Sequence, residues 1–134
     1  MNATIANLRA AFTTAKSQGL RGVVLQQQAD MFDNTVSSPS WSNYSAFKPL
    51  VQAIVDESRA YGKPVYLFNG DSHRYRDDRP LASGSKWLTF YGVTGTAANV
   101  RRITVDGSDK GETDWLKVTV NSTGTIALHR IPGT

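Results

Sequence analysis

Two short apolar segments, separated by one amphipathic segment, limit the folds open to this chain. Residues 22–25 read Gly-Val-Val-Leu and residues 65–68 read Val-Tyr-Leu-Phe. Apolar runs of this length are typical of strands that are buried on both faces of a sheet. Between them, apolar residues recur at helical spacing over residues 47–55, and Gly62 ends the helix. Strand, helix and strand joined so closely predict a βαβ unit with two parallel, adjacent strands.

A second helix is predicted before this unit. Apolar side chains recur at helical spacing over residues 5–15. Asn2 or Thr4 is expected to cap the start of this helix, and Gly19 to end it. Ser45 is expected to cap the helix that lies inside the βαβ unit.

The remainder of the chain alternates as strands do, and turn residues separate the alternating segments. The turn signals are Asp106-Gly107 and residues 122–124. The expected strands cover residues 87–93, 100–105, 115–120 and 125–131. The sequence therefore predicts an α/β (α+β) fold with two main helices. Its mixed sheet has a parallel βαβ unit followed by antiparallel hairpins, within a single domain over residues 1–134.

Composition excludes several classes of protein. The 134 residues include 40% hydrophobic residues, which is typical of a globular chain, and no cysteine, which excludes disulfides and thiolate metal sites. No apolar run approaches the ~18 residues that a membrane-spanning helix needs. The N-terminus has no basic-then-apolar leader, so a cytoplasmic location and no membrane contact are expected for the sequence as written, unless a natural upstream segment is missing. The net charge of +4 is spread along the chain, and we read most of it as solvated surface.

The residues whose side chains are best suited to bind a metal ion or a ligand follow the second apolar strand. Gly70 turns the chain there, and Asp71 and His73 come directly after it. Ligand sites of open α/β sheets lie at the carboxyl ends of parallel strands, and Asp and His both ligate Zn, Mn or Fe. The alternative is that Asp71 caps a turn and His73 lies on the surface. Gln28 and Asp30 follow the first strand in the same way, so Gln28, Asp71 and His73 should converge if the strands are adjacent.

The segment Gly70-Asp71-Ser72-His73 resembles the G-H-x-H motif that closes the metal centre of calcineurin-like metallophosphoesterases. A bacterial branch of that superfamily is similar to this chain, in order, over residues 21–25, 28–32, 62–65, 78–81 and 99–107. The resemblance implies the C-terminal half of that fold, which is half of a sandwich of two mixed sheets. It also implies Asp71 and His73 as ligands of Mn, Fe or Zn, with Gln28 and Asp30 beside the metal.

The chain departs from the family pattern in ways that bear on activity. The family usually has histidines where Gln28 and Asp71 stand here, and its upstream motifs G-D-x-x-D and G-N-H-D/E do not occur. A two-metal centre needs several ligands around two ions roughly 4 Å apart. The resemblance therefore implies that this chain alone hydrolyses phosphoesters slowly or not at all, and it assigns no catalytic residue. The chain is expected to bind one divalent metal ion or none. The alternatives are a non-catalytic ligand-binding or assembly module, or one part of a split phosphoesterase.

The same resemblance bears on partners. A half-fold exposes the surface that meets its other half, so a homodimer with sheet-to-sheet or edge-to-edge contact is expected. The aromatic candidates for that contact, which could equally belong to the core, are Trp87, Phe90, Tyr91 and Trp115.

A phosphorylated small molecule is the ligand that the basic residues suggest. Arg74 and Arg76 follow the Asp71 turn and could bind its phosphate. They interleave with His73 and Tyr75 as in some nucleic-acid-binding proteins. Because this stretch is short and isolated, nucleic-acid binding is not expected.

Overall fold

The computed structural model describes residues 1–107 and 113–133. Its two long helices are α1, Asn2–Ser17, and α3, Lys48–Tyr61; between them a short helix α2, Trp41–Tyr44, runs into a 3-10 turn, Ser45–Phe47. Helix α4 is Lys86–Tyr91. The strands are β1 (Val23–Gln26), β2 (Val65–Asn69), β3 (Arg76–Asp78), β4 (Val100–Thr104), β5 (Trp115–Val120) and β6 (Ile126–Ile131). The predicted fold class, mixed α and β with two main helices, is confirmed.

Four strands form one mixed sheet in the order β1-β2-β4-β3. β1 pairs with β2 in parallel, with Val23 opposite Val65, so the predicted βαβ unit is correct. β4 lies on the other side of β2, also in parallel, and β3 pairs with β4 antiparallel. β5 and β6 form a separate antiparallel hairpin. The carboxyl ends of β1, β2 and β4 therefore lie at one end of the sheet.

The sheet lies between the helices and the hairpin. Alternate residues of β2 point to opposite faces, as the pleat of a strand requires. On one face Val65 and Leu67 belong to the main core, which also takes in the apolar sides of α1 and α3. On the other face Tyr66 packs with Ile103 and with Ile126 of the hairpin. The Tyr66 hydroxyl, which accepts a hydrogen bond from the Ile126 N–H at 3.2 Å, joins the hairpin to the sheet.

The strand that the sequence predicted over residues 87–93 is wrong, because this segment contains helix α4. Ser85 caps its start, since the Ser85 hydroxyl accepts a hydrogen bond from the Trp87 N–H. Gly92 ends it with a φ of 56°, a left-handed conformation that glycine adopts at little cost. Trp87 and Tyr91 lie one helical turn apart and are both buried in the main core. Aromatic residues, which favour strands in general, here follow helical spacing.

The pairing corrects one further strand prediction, and the structure contains one strand that was not predicted. The segment over residues 100–105 is a strand, but it pairs in parallel with β2 instead of forming a hairpin with its successor. The strand that was not predicted is β3. Arg76, Asp77 and Asp78 have low strand propensity, and pairing with β4 holds them there. The turn expected at residues 106–107 leads into residues 108–112, which lie outside the described residues.

The predicted caps at the starts of the two long helices are wrong, and the predicted cap at the end of α3 is confirmed. Met1 is the N-cap of α1 and makes no side-chain cap hydrogen bond, so neither Asn2 nor Thr4 caps this helix. Ser45 lies in the 3-10 turn, and α3 begins three residues later. Gly62, with a φ of 71°, is the C-cap of α3 as expected. Within the described parts of the chain, no helix is long and apolar enough to cross a membrane.

Candidate functional site

A strained turn follows β2 at the point where the sequence placed its candidate ligands. The Ser72 N–H donates to the Gly70 carbonyl at 2.9 Å, and Asp71 between them has a φ of 69°. This is a γ-turn of the rarer form, whose central residue has a positive φ. His73 also has a positive φ, 54°. Positive φ is uncommon outside glycine, and such residues concentrate at functional sites.

Hydrogen bonds tie this turn to the loop that follows β1. The Asp30 N–H donates to Oδ2 of Asp71 at 3.2 Å, and the Ser72 hydroxyl donates to Oδ2 of Asp30 at 2.8 Å. The Gly70 N–H donates to the Gln28 carbonyl at 3.2 Å. The loops that follow two adjacent parallel strands are thus hydrogen-bonded to each other.

A buried arginine lies beneath this unit. Arg102 of β4 is fully buried, and its Nη1 donates to Oδ1 of Asp30 at 2.8 Å and to the Phe32 carbonyl at 3.1 Å. Its Nε and Nη2 donate to the two carboxylate oxygens of Asp78 at 2.9 and 2.8 Å. Bidentate pairing of this kind holds the guanidinium in one orientation and also neutralises its charge. Arg102 therefore links the loop after β1 to strand β3.

Above this network lies an open cleft of about 630 Å³. The charged side chains that line it are Asp30, Asp33, Arg74, Arg76 and Arg102, and the uncharged ones are Asn34, Thr35, Ser72 and Tyr75. Arg74 and Arg76 are exposed, and Nε of Arg76 lies 3.3 Å from Oδ2 of Asp78. Because Arg102 is neutralised by two carboxylates, Arg74 and Arg76 are the lining cations that remain accessible to a ligand.

Carboxylates and burial set the electrostatics around the cleft. Burial raises the pKa of Tyr44. The nearby carboxylates of Asp33, Asp30 and Asp71 raise it further, because their negative charge disfavours ionisation of the phenol. The Asp33 carboxylate accepts from both the N–H and the hydroxyl of Thr35, which orders the loop. The cleft therefore has an acidic side, at Asp33, and a basic side, at Arg74 and Arg76.

The structure does not bring the predicted site residues together on one surface. Asp30, Arg74 and Arg76 line the cleft. Gln28 lines a different, apolar groove of about 420 Å³ on the hairpin side of the sheet, together with Gly70. The His73 carbonyl accepts from the Gly107 N–H at 3.3 Å, so this end of the turn is tied to the segment after β4. Asp71 is exposed, and the side chain of His73 is half-buried.

The fit of these residues to a metal ion is partial. Both oxygens of the Asp30 carboxylate are engaged, by Arg102 and the Phe32 N–H on one side and by Ser72 on the other. Among the described residues, no group of three or more His, Cys, Asp or Glu side chains is placed to hold a metal ion. Asp71 and His73 would form a pair of ligands, and an ion held by two protein ligands fills its other positions from water, a bound anion or another chain.

Sequence reasoning missed Arg102 and Asp78. Most of the positive charge was expected at the solvated surface, whereas the structure buries Arg102 completely. One signal was available, because Arg101 and Arg102 are adjacent in a strand and must point to opposite faces. Arg101 points to the hairpin side of the sheet and pairs with Asp77, with 2.6 Å between Nη2 and Oδ2.

Comparisons of the chain with protein-family models, with curated proteins and with solved structures gave no match. The function is therefore argued from the geometry of the site.

Proposed function

We propose that this chain is a metallophosphoesterase-like domain that binds a phosphorylated small molecule and hydrolyses it slowly or not at all by itself. The observation that carries the proposal is the cleft at the carboxyl ends of the parallel strands, with Arg74 and Arg76 on one side. Guanidinium groups bind phosphate through charge-assisted hydrogen bonds, often two at a time. This end of a parallel sheet is where such folds hold their ligands.

The buried network supports this role because it holds the wall of the cleft in place. Arg102 fixes Asp78, and Asp78 lies in the same strand as Arg76 and close to its guanidinium. Arg74 lies two residues before that strand. A site whose charged groups are held in position before binding loses less conformational entropy when the ligand binds.

The metal part of the proposal involves Asp71 and His73. Their positive φ angles and their place after β2 support a functional turn, as argued above. Asp71 would hold a divalent ion through its carboxylate and His73 through its imidazole. A cytoplasmic location remains the prediction from the sequence.

The proposal is tested by calorimetric titration of the chain with inorganic phosphate and with adenosine monophosphate. Replacement of Arg74 and Arg76 by Gln should weaken binding by roughly tenfold for each lost charged hydrogen bond. The matched control is Arg9→Gln with Arg59→Gln, which removes the same charge from exposed positions on α1 and α3. If both double variants bind phosphate with the same affinity as the wild type, the proposed phosphate site is wrong.

Activity is tested on the same sample with bis-p-nitrophenyl phosphate and added Mn²⁺. We expect turnover close to the uncatalysed rate, in the wild type and in His73→Asn alike. Asparagine is chosen because it tolerates a positive φ, so the turn is preserved. Mn²⁺-dependent turnover that His73→Asn abolishes would refute the low-activity statement and support a working metal centre.

A second candidate function, an assembly module, is favoured by a different observation. The outer edge of β1 and the apolar groove beside it are exposed. This groove shares no lining residue with the cleft.

A further inference from the structure

β1 is an edge strand whose outer backbone groups point away from the sheet. Its Val23 N–H donates to the Pro64 carbonyl, and the Gln27 N–H donates to the Phe68 carbonyl. In a parallel pair, alternate residues direct their backbone groups to the same neighbour. Val24 and Gln26 therefore direct their N–H and C=O groups outward, along an edge that no described strand pairs with.

β1 is only four residues long, which itself limits strand addition, but its edge lacks the other features by which proteins prevent strands from adding to a sheet. Such features are charged side chains, prolines, bulges or a covering segment. Residues 22–29 contain no charged residue and no proline. The side chain of Val24 is 59% exposed and faces the apolar groove. The groove is also lined by Phe68, Val105, Val118, Val120 and Ile126.

We infer that a second copy of this chain pairs with β1 along this edge, in an antiparallel arrangement about a two-fold axis at Leu25. The axis follows from the alternation of the backbone groups. If Leu25 faces Leu25 of the copy, Val24 lies opposite Gln26 of the copy, and these two residues exchange backbone hydrogen bonds. Isologous pairing of this kind satisfies both copies equally.

The surface beside β1 is also compatible with pairing to a second copy of the chain. Val24 and Gln26 lie on the hairpin side of the sheet, opposite Tyr66 and Phe68 in register. In the dimer, the grooves of the two copies lie next to each other, and the exposed valine of each is covered by the glutamine of its neighbour. Because the edge carries no charge, pairing with a copy of itself brings no like charges together. This dimer does not depend on the proposed phosphate site.

The test is the molar mass of the chain by size-exclusion chromatography with light scattering, from about 5 to about 200 µM. We expect twice the chain mass of 14.6 kDa at the upper end. Val24→Lys should shift the chain to monomer, because it places a charge on the edge. Gln26→Pro should do the same, because it removes an outward N–H that the fold does not use, and edge strands tolerate such a proline.

The matched control is Trp115→Lys, which removes an apolar side chain of similar exposure, 56%, from β5. This control should remain dimeric. Amide hydrogen exchange at Val24 and Gln26 should be slower at high concentration than at low concentration in the wild type alone. A wild type of single-chain mass throughout the range would overturn the inference. A dimer that persists in Val24→Lys and dissociates in Trp115→Lys would also overturn the inference. Circular dichroism checks that each variant is folded.

Discussion

Replacement of Arg102 by methionine tests the claim that a buried ion pair organises the site. Methionine keeps the length and the apolar stem of the side chain. The substitution removes three hydrogen bonds to the carboxylates of Asp30 and Asp78 and one to the Phe32 carbonyl. Asp30 is itself buried, so its charge is left without its guanidinium partner. Removing one member of a buried pair typically costs about 3–5 kcal/mol.

The same strand provides the control. Arg101 adjoins Arg102 and also pairs with an aspartate, but both Arg101 and Asp77 are over a quarter exposed. A pair of this exposure contributes about 0–1 kcal/mol. Arg101→Met should therefore lower the free energy of unfolding by at most ~1 kcal/mol, and Arg102→Met by several times that amount.

The assay is urea unfolding followed by tryptophan fluorescence, with thermal unfolding as a second measure. At about 3–5 °C per kcal/mol for a chain of this size, Arg102→Met should lower the Tm by ~10–20 °C. Adding Asp30→Asn to Arg102→Met should recover part of the loss, because the uncompensated charge is gone. Equal losses in Arg101→Met and Arg102→Met would refute the reasoning, since burial would then not decide the cost.

Two further predictions concern the core and the hairpin. Tyr91→Phe removes the 2.6 Å hydrogen bond to the Met31 carbonyl and should cost about 1–3 kcal/mol by urea unfolding at neutral pH. Burial raises the pKa of Tyr91 in the folded protein, so above pH ~10 the tyrosine ionises in the unfolded chain before it ionises in the folded one. The free energy of unfolding of the wild type should therefore fall as the pH rises above ~10. A fall of equal size in Tyr91→Phe would contradict this. Gly124→Ala should destabilise the chain more than Gly19→Ala, because both glycines have a positive φ but only the added Cβ at Gly124 would lie 2.5 Å from the Arg21 carbonyl oxygen. Equal urea midpoints for the two glycine variants would mean that the backbone at Arg21 moves aside without cost.

The elements that the sequence predicts correctly are those whose signal is local. β1 and β2 are short apolar runs, and α3 has an apolar side at helical spacing that Gly62 terminates. In each case burial of the element and its own periodicity favour the same structure. Helix α4 was mistaken for a strand because its segment was read as alternating, although the spacing of Trp87, Phe90 and Tyr91 fits one side of a helix.

The candidate site was predictable only in its location. The position of Asp71 and His73 follows from the end of β2, and the approach of Gln28 to Gly70 follows from parallel pairing. The strained turn itself depends on hydrogen bonds to Asp30, which lies 41 residues from Asp71 in sequence. No local pattern specifies such a contact, since it exists only once both loops are in place.

The sequence by itself determined the parallel core strands, the two long helices and the place where the chain changes from strand to polar turn. The tertiary structure alone decided which arginine is buried and which charged segment becomes a strand. Arg102 is stable inside the protein because Asp30, 72 residues away, and Asp78 neutralise it there. A charge is buried only when its partners are already positioned, and their positions come from the packed sheet and not from their neighbours in the chain.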